Sequence, residues 1–199
     1  MKHIIAALSL LVLLTACREK AGEPQTETTG TAQAAQETST ATATTTGVTG
    51  GTSSALAPDD KEFVSKAGMG GLAEVQMGNL ALSKASSADV KAFGQRMVTD
   101  HSKANEELQQ LATAKGVALP TELAGEEQAT MTRLSSLSGA EFDKAYMKDM
   151  VEDHEKDVAE FDKAATTGQD SDLKAWAAKT LPTLKEHLQH AKTVSSKLR

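Results

Sequence analysis

An all-α fold, a four-helix bundle made of two helical hairpins, is predicted by three observations. Apolar residues recur at alternating spacings of three and four along long stretches of the chain. No run alternates with the period of a strand. A short phrase occurs twice, as Met97-Val98-Thr99-Asp100-His101-Ser102-Lys103 and as Met150-Val151-Glu152-Asp153-His154-Glu155-Lys156, each after an Ala-aromatic pair (Ala92-Phe93, Ala145-Tyr146). Its histidines stand 53 residues apart. That is too long for one helical repeat and suits two halves of a bundle, each with a mid-helix histidine.

The first residues read as a leader. Lys2 and His3 precede an apolar run, Ile4 to Leu14, of signal-peptide length; a spanning helix needs roughly 20 apolar residues. The run ends in Leu14-Thr15-Ala16-Cys17, which resembles a bacterial lipobox. Residues 1–16 are then a lipoprotein signal peptide, and Cys17 is acylated to anchor the chain in a membrane. Arg18 in place of Asp after the cysteine points to the outer membrane, facing the periplasm. With a single cysteine, no intramolecular disulfide forms. Residues 17–57 are rich in Thr, Ala, Gly and Ser and poor in large aliphatics, so they are expected to be a disordered tether reaching roughly 35 Å.

Residues 58–199 are enough for one core. A first helix is expected from Asp59 or Asp60, as cap, to about Ala85, with Ala67, Gly70, Glu74, Met77 and Ala81 on one face. Gly70-Gly71 reads as close helix packing. A second helix runs to Lys115 and stops at Gly116, with a seam of Val90, Gly94, Met97, His101, Ala104, Leu108 and Leu111. The long connection over 116–138 holds a short helix, Glu126 to Leu137. Ser138-Gly139-Ala140-Glu141 reads as a capping box for a helix ending near Thr166, whose seam contains Met147, Val151, His154, Val158 and Phe161. Asp170 or Ser171 caps a last helix to Lys197, in which Pro182 predicts a kink.

The net charge of −6 and the absence of a basic patch exclude nucleic acid as a natural partner. No particular protein partner is indicated. The lone cysteine is used by the anchor, and neither a serine elbow nor a phosphate-binding glycine loop precedes a helix, so catalytic residues are not expected. What remains is a polar cluster. At 1.5 Å per residue, Glu74, His101, His154 and His187 all fall near mid-bundle, one on each long helix. Two readings stand. The four form a buried hydrogen-bonded network, with Met97 and Met150 as core filler. Alternatively they ligate an ion, with Asp100, Asp153, Glu186, Met97 and Met150 around them; zinc, iron, copper or manganese suits such donors, and methionines favour copper.

Glu74 in Ala73-Glu74-Val75-Gln76, the two Met-Val-x-Asp-His phrases, Glu141-Phe142-Asp143-Lys144-Ala145-Tyr146 and Leu181-Pro182-x-Leu184-x-x-His187-Leu188 together resemble the bacterial domain of unknown function 4142. The likeness covers about residues 58–198. It implies a ferritin-like four-helix bundle in an exported protein, often a lipoprotein. A di-iron centre would need Glu-x-x-His pairs, and Val98, Val151 and Leu184 stand where those glutamates belong. One divalent or copper ion, or none, is therefore expected. The functional expectation is a non-enzymatic, stress-associated envelope protein with a buried Glu/His cluster, or alternatively a periplasmic zinc or copper buffer or carrier.

Overall fold

The computed structural model describes residues 55–198; the leader, Cys17 and most of the tether lie outside them. Five helices follow in order: α1 Pro58–Lys84, α2 Ala88–Ala114, α3 Gly125–Ser135, α4 Gly139–Thr167 and α5 Ser171–Lys197. No strand occurs among the described residues. The four long helices are the predicted bundle, and α3 is the short helix of the central connection.

Hydrogen bonds at the two ends establish the topology. Asp60, at the start of α1, accepts from the backbone N–H groups of Gln169 and Asp170 in the α4–α5 turn (3.1 and 2.8 Å). Asp143, near the start of α4, accepts from the N–H groups of Ser86 and Ser87 in the α1–α2 turn (3.1 and 2.9 Å) and from the Ser86 hydroxyl. The start of α1 thus lies beside the end of α4, and the start of α4 beside the end of α1. So α1 and α5 run one way and α2 and α4 the other. The 116–138 connection must traverse the bundle, which is the single long crossover of ferritin-like folds. The fold is a ferritin-like four-helix bundle.

Local chemistry departs from expectation at several helix ends. Neither Asp59 nor Asp60 caps α1. Ala57 is the cap residue and Pro58 occupies the first turn, where its missing N–H is no loss; this leaves Asp60 free to hold the opposite turn. Ser138 occupies the cap position of α4 but makes no side-chain cap, and Gly139 follows it at φ 61°. Gly116 does end α2 as expected: its φ is 69°, and bonds from Gly116 N–H to Thr113 O and from Val117 N–H to Ala112 O complete a Schellman motif. Asp170 caps α5 through the N–H groups of Asp172 and Leu173. The helix continues through Pro182, since both Pro182 and Ala178 are exposed and the freed carbonyl can meet water.

The core is two apolar clusters with a polar belt between them. Toward the α1–α2 turn, Met77, Phe93, Met97, Phe142, Tyr146 and Met150 pack together. Toward the α4–α5 turn lie Val64, Leu108, Phe161, Trp176 and Leu184, joined by Leu56 from just before α1. Hydrophobic burial holds the tail of the tether there. The belt crosses α1 between Val64 and Met77, α2 between Met97 and Leu108, α4 between Met150 and Phe161, and α5 between Leu184 and Ala191. Each helix carries one of Glu74, His101, His154 and His187 inside that interval.

Candidate metal centre

The doubled phrase works because α2 and α4 are parallel. Residues at equal offsets stand at equal height, so Phe93 meets Tyr146 edge to face at 6.2 Å and His101 meets His154 at 5.8 Å between ring centroids. His187 enters from α5, 5.3 Å from His101 and 5.4 Å from His154. Glu74 enters from α1. All four are buried: His154 and His187 expose none of their surface, Glu74 3% and His101 6%.

Each ring is tied by one nitrogen. His101 Nδ1 is 2.7 Å from Glu74 Oε2, His154 Nδ1 is 2.9 Å from the Met150 carbonyl oxygen, and His187 Nε2 is 2.8 Å from Asp100 Oδ2. A carbonyl only accepts, so His154 carries its proton on Nδ1; the two ionised carboxylates impose the same logic on His101 and His187. The other nitrogen of each neutral ring is then a bare lone pair. His101 Nε2, His154 Nε2 and His187 Nδ1 are buried without a hydrogen-bond partner, as is Glu74 Oε1. One ring nitrogen from each histidine lies within 4.8 Å of the others.

Electrostatics sort the groups. Burial works against charge on Glu74, yet the histidines outweigh it and hold its carboxyl down at about 2. Burial likewise opposes charge on His101, but the Glu74 charge and hydrogen bond raise this imidazole above its ordinary value. His154 is lowered, first by desolvation and also by His101. His187 is lowered by desolvation to about 4. Of the three rings, His101 beside Glu74 therefore holds a proton most readily, and His154 and His187 are the two that favour the neutral form.

The surrounding residues fall into three groups. Asp100, one step off the α2 seam, reaches across to His187 on α5 and also accepts from Arg96 (3.2 Å). Arg96 in turn holds Glu186 at 2.7 Å; Glu186 is exposed and touches the cluster only through this chain. Met97 and Met150 lie wholly in the apolar cluster toward the α1–α2 turn. Asp153 lines a cleft beside Glu74 and pairs with Lys156 at 3.7 Å. Desolvation raises its carboxyl to about 6.

Asp157 was not foreseen. It stands three residues after His154, lines the same cleft, and its carboxyl is held above the usual range by burial and by Glu74. A search for glutamate three residues before each histidine cannot find a carboxylate three residues after one. Spacing offered the clue: Asp60 to Glu74 and Asp143 to Asp157 are both 14 residues. Asp157 is the α4 counterpart of Glu74. The reading of Gly70-Gly71 also divides. A Cβ on Gly71 would collide with the Asn105 side chain, whereas one on Gly70 meets nothing within 4 Å.

The family description Domain of unknown function (DUF4142) matches residues 24–194. Among solved structures, a DUF305 fragment from Deinococcus radiodurans superposes with a TM-score of 0.63 at 13% identity, covering 72% of this chain and 99% of that one. A DUF305 protein from Streptomyces coelicolor superposes with a TM-score of 0.60 at 12% identity, covering 70% and 93%. At such identities the likeness is one of fold. No curated protein matches the chain.

Proposed function

This chain belongs to the DUF4142 family, and we propose, from the geometry of the site, that it is a cell-envelope protein that holds one divalent transition-metal ion, zinc or copper, on His101, His154 and His187. One observation carries the reading. Three imidazoles are each anchored by an outer hydrogen bond, and each leaves an unpartnered nitrogen inside the bundle. The neutral His154 and His187 turn lone pairs into one dry space, and His101 adds a third once its proton leaves; a cation satisfies all three. Outer anchoring by carboxylate or carbonyl is the usual support of metal-bound histidine. Glu74 Oε1, 3.3 Å from His154 Nε2, is a fourth available donor. Three nitrogens and one carboxylate oxygen suit zinc or copper(II) better than calcium or magnesium.

The role is holding rather than turnover. The small pocket that shares Glu74 and His101 has a volume of about 20 Å³, room for one water or ion beside the cluster. Buffering or carrying a metal fits ligands buried this deeply among four helices. Placement in the envelope rests on the leader: the apolar run, the lipobox-like Leu14-Thr15-Ala16-Cys17 and Arg18 after it support an outer-membrane lipoprotein facing the periplasm. None of the described helices is long and apolar enough to cross a membrane. Loss of radiolabelled fatty acid from Cys17→Ser tests the anchor; retained label overturns it.

A second reading follows from the Glu74–His101 pair, which is already neutralised internally. In it the cluster is a structural or pH-sensitive network needing no ion. Elemental analysis of the purified protein separates the two, with melting measured before and after a chelator. The metal reading expects near-stoichiometric metal and a melting temperature that falls on chelation. Failure to take up zinc, copper, iron or manganese overturns it.

A further inference from the structure

A cleft opens between α1, α3 and α4, with a volume of about 320 Å³. Six carboxylate side chains line it against two lysines, Lys66 and Lys156. Acidic residues alone would be an ordinary solvated face, but two other features single this one out. Glu74 lines the cleft while being 97% buried, and its Oε1 has no hydrogen-bond partner. Gly70 lies one turn before Glu74 on the same helix face and also lines the cleft. Interior helical glycine is unfavourable against alanine, and Gly70 needs no close packing, since nothing lies within 4 Å of its missing Cβ. Its effect is to leave the approach to Glu74 open.

Behind that approach, Gly70, Glu74 and Asp157 also line the small internal cavity that reaches His101. Glu74 is therefore shared by the outer cleft, the inner cavity and the histidine cluster. We infer that the α1–α3–α4 cleft is the entry route for a divalent cation, which passes from the rim carboxylates Glu126, Glu127 and Asp153, past Asp157, to Glu74 and then to the histidines. This rests on the metal-holding reading above. A carboxylate-lined mouth raises the local cation concentration and the capture rate. Glu74, already bonded to His101 at 2.7 Å and facing His154 at 3.3 Å, stands where the ion must change partners.

Stopped-flow loading of the apo full-length protein with cobalt(II), followed by its visible absorption, tests the route. Gly70→Leu fills the cleft with a good helix former, and Gly70→Ala is the control without bulk. For Gly70→Leu, loading and chelator-driven release should both slow roughly tenfold while Kd changes less than roughly twofold. A combined Glu126→Gln, Glu127→Gln, Asp153→Asn variant should load roughly threefold more slowly at low salt, and the difference should vanish at high salt. Glu107→Gln, in the opposite cleft beside His187, should load at the wild-type rate. Wild-type rates in Gly70→Leu, or equal slowing in Glu107→Gln, overturn the route and leave the metal site standing. Cobalt(II) failing to bind the wild type overturns both. Should Gly70→Leu not fold, the rim-charge variant decides alone.

Discussion

Replacing Glu74 by glutamine tests the site with the least disturbance of shape. The amide oxygen can still accept from His101 Nδ1–H, so the ring tautomer survives, while the charge that raises His101 and supplies the fourth donor is gone. Loss of such a partner lowers metal affinity by roughly 10–100-fold. At free zinc 100 times the wild-type Kd, the ion stabilises the wild-type fold by about 2.7 kcal/mol and the variant by about 0.4–1.4 kcal/mol. With roughly 2–4 °C per kcal/mol for a chain of this size, zinc should raise the wild-type melting temperature by about 5–11 °C and that of Glu74→Gln by about 1–6 °C. Calorimetric melts in zinc-buffered solution, with a chelator-treated control for each protein, read the difference directly. A zinc-dependent rise in Glu74→Gln as large as in the wild type would refute the assignment of Glu74 to the site.

Other expectations follow from the same geometry. Loading zinc near pH 6.5 should release on the order of one proton, from His101, because the other two rings are already neutral; calorimetry in buffers of different ionisation enthalpy measures it, and zero release counts against the ion pair. The histidine part of apo stability should fall on acidification below pH 6.5, since His154 and His187 have folded values below their unfolded ones and protons then favour the unfolded chain; Glu74 adds to the loss as pH drops from 4.5 through about 2. His101, raised, keeps its contribution throughout that window and loses it only as pH rises through its folded value, while Asp153 and Asp157, also raised, gain as pH falls. His187→Gln, which removes one lowered group, should therefore lose less stability than the wild type in urea titrations from about pH 7 to about pH 4; an equal or larger loss would contradict it. His154→Ala should destabilise even the apo protein by about 2–4 kcal/mol, because it empties a fully buried site; only the loss of the zinc-dependent part of stability is diagnostic. Asp143→Ala, which strands two backbone donors and a hydroxyl at the α1–α2 turn, should cost about 2–4 kcal/mol in urea unfolding with zinc binding retained.

The helices and the inward turn of the histidines were legible because both follow from local periodicity. An apolar face recurring every three or four residues has to be buried whatever it meets, and a histidine in that seam is carried inward with it. The doubled phrase likewise showed two equivalent helices. Its residues cannot say whether those helices are parallel, since that depends on the path of the 116–138 connection. The departure at the start of α1 has a tertiary cause. Asp60 has cap chemistry, but its carboxylate is spent on Gln169 and Asp170, more than a hundred residues away. Asp100 was placed near the cluster by its neighbour His101, but its partner could not be read, because a seam describes one helix and His187 belongs to another. Asp157 escaped because its significance comes from facing Glu74 across a cleft.

By itself, then, the sequence determined an all-α bundle with four polar residues near its middle, because local side-chain spacing sets helix length, burial and height. It left open whether those residues form a network or a ligand set. Only the tertiary structure decided which nitrogen of each ring is held and which is left bare. That depends on what the neighbouring helices present within hydrogen-bonding distance, and such pairings across the bundle leave no mark in the spacing along the chain.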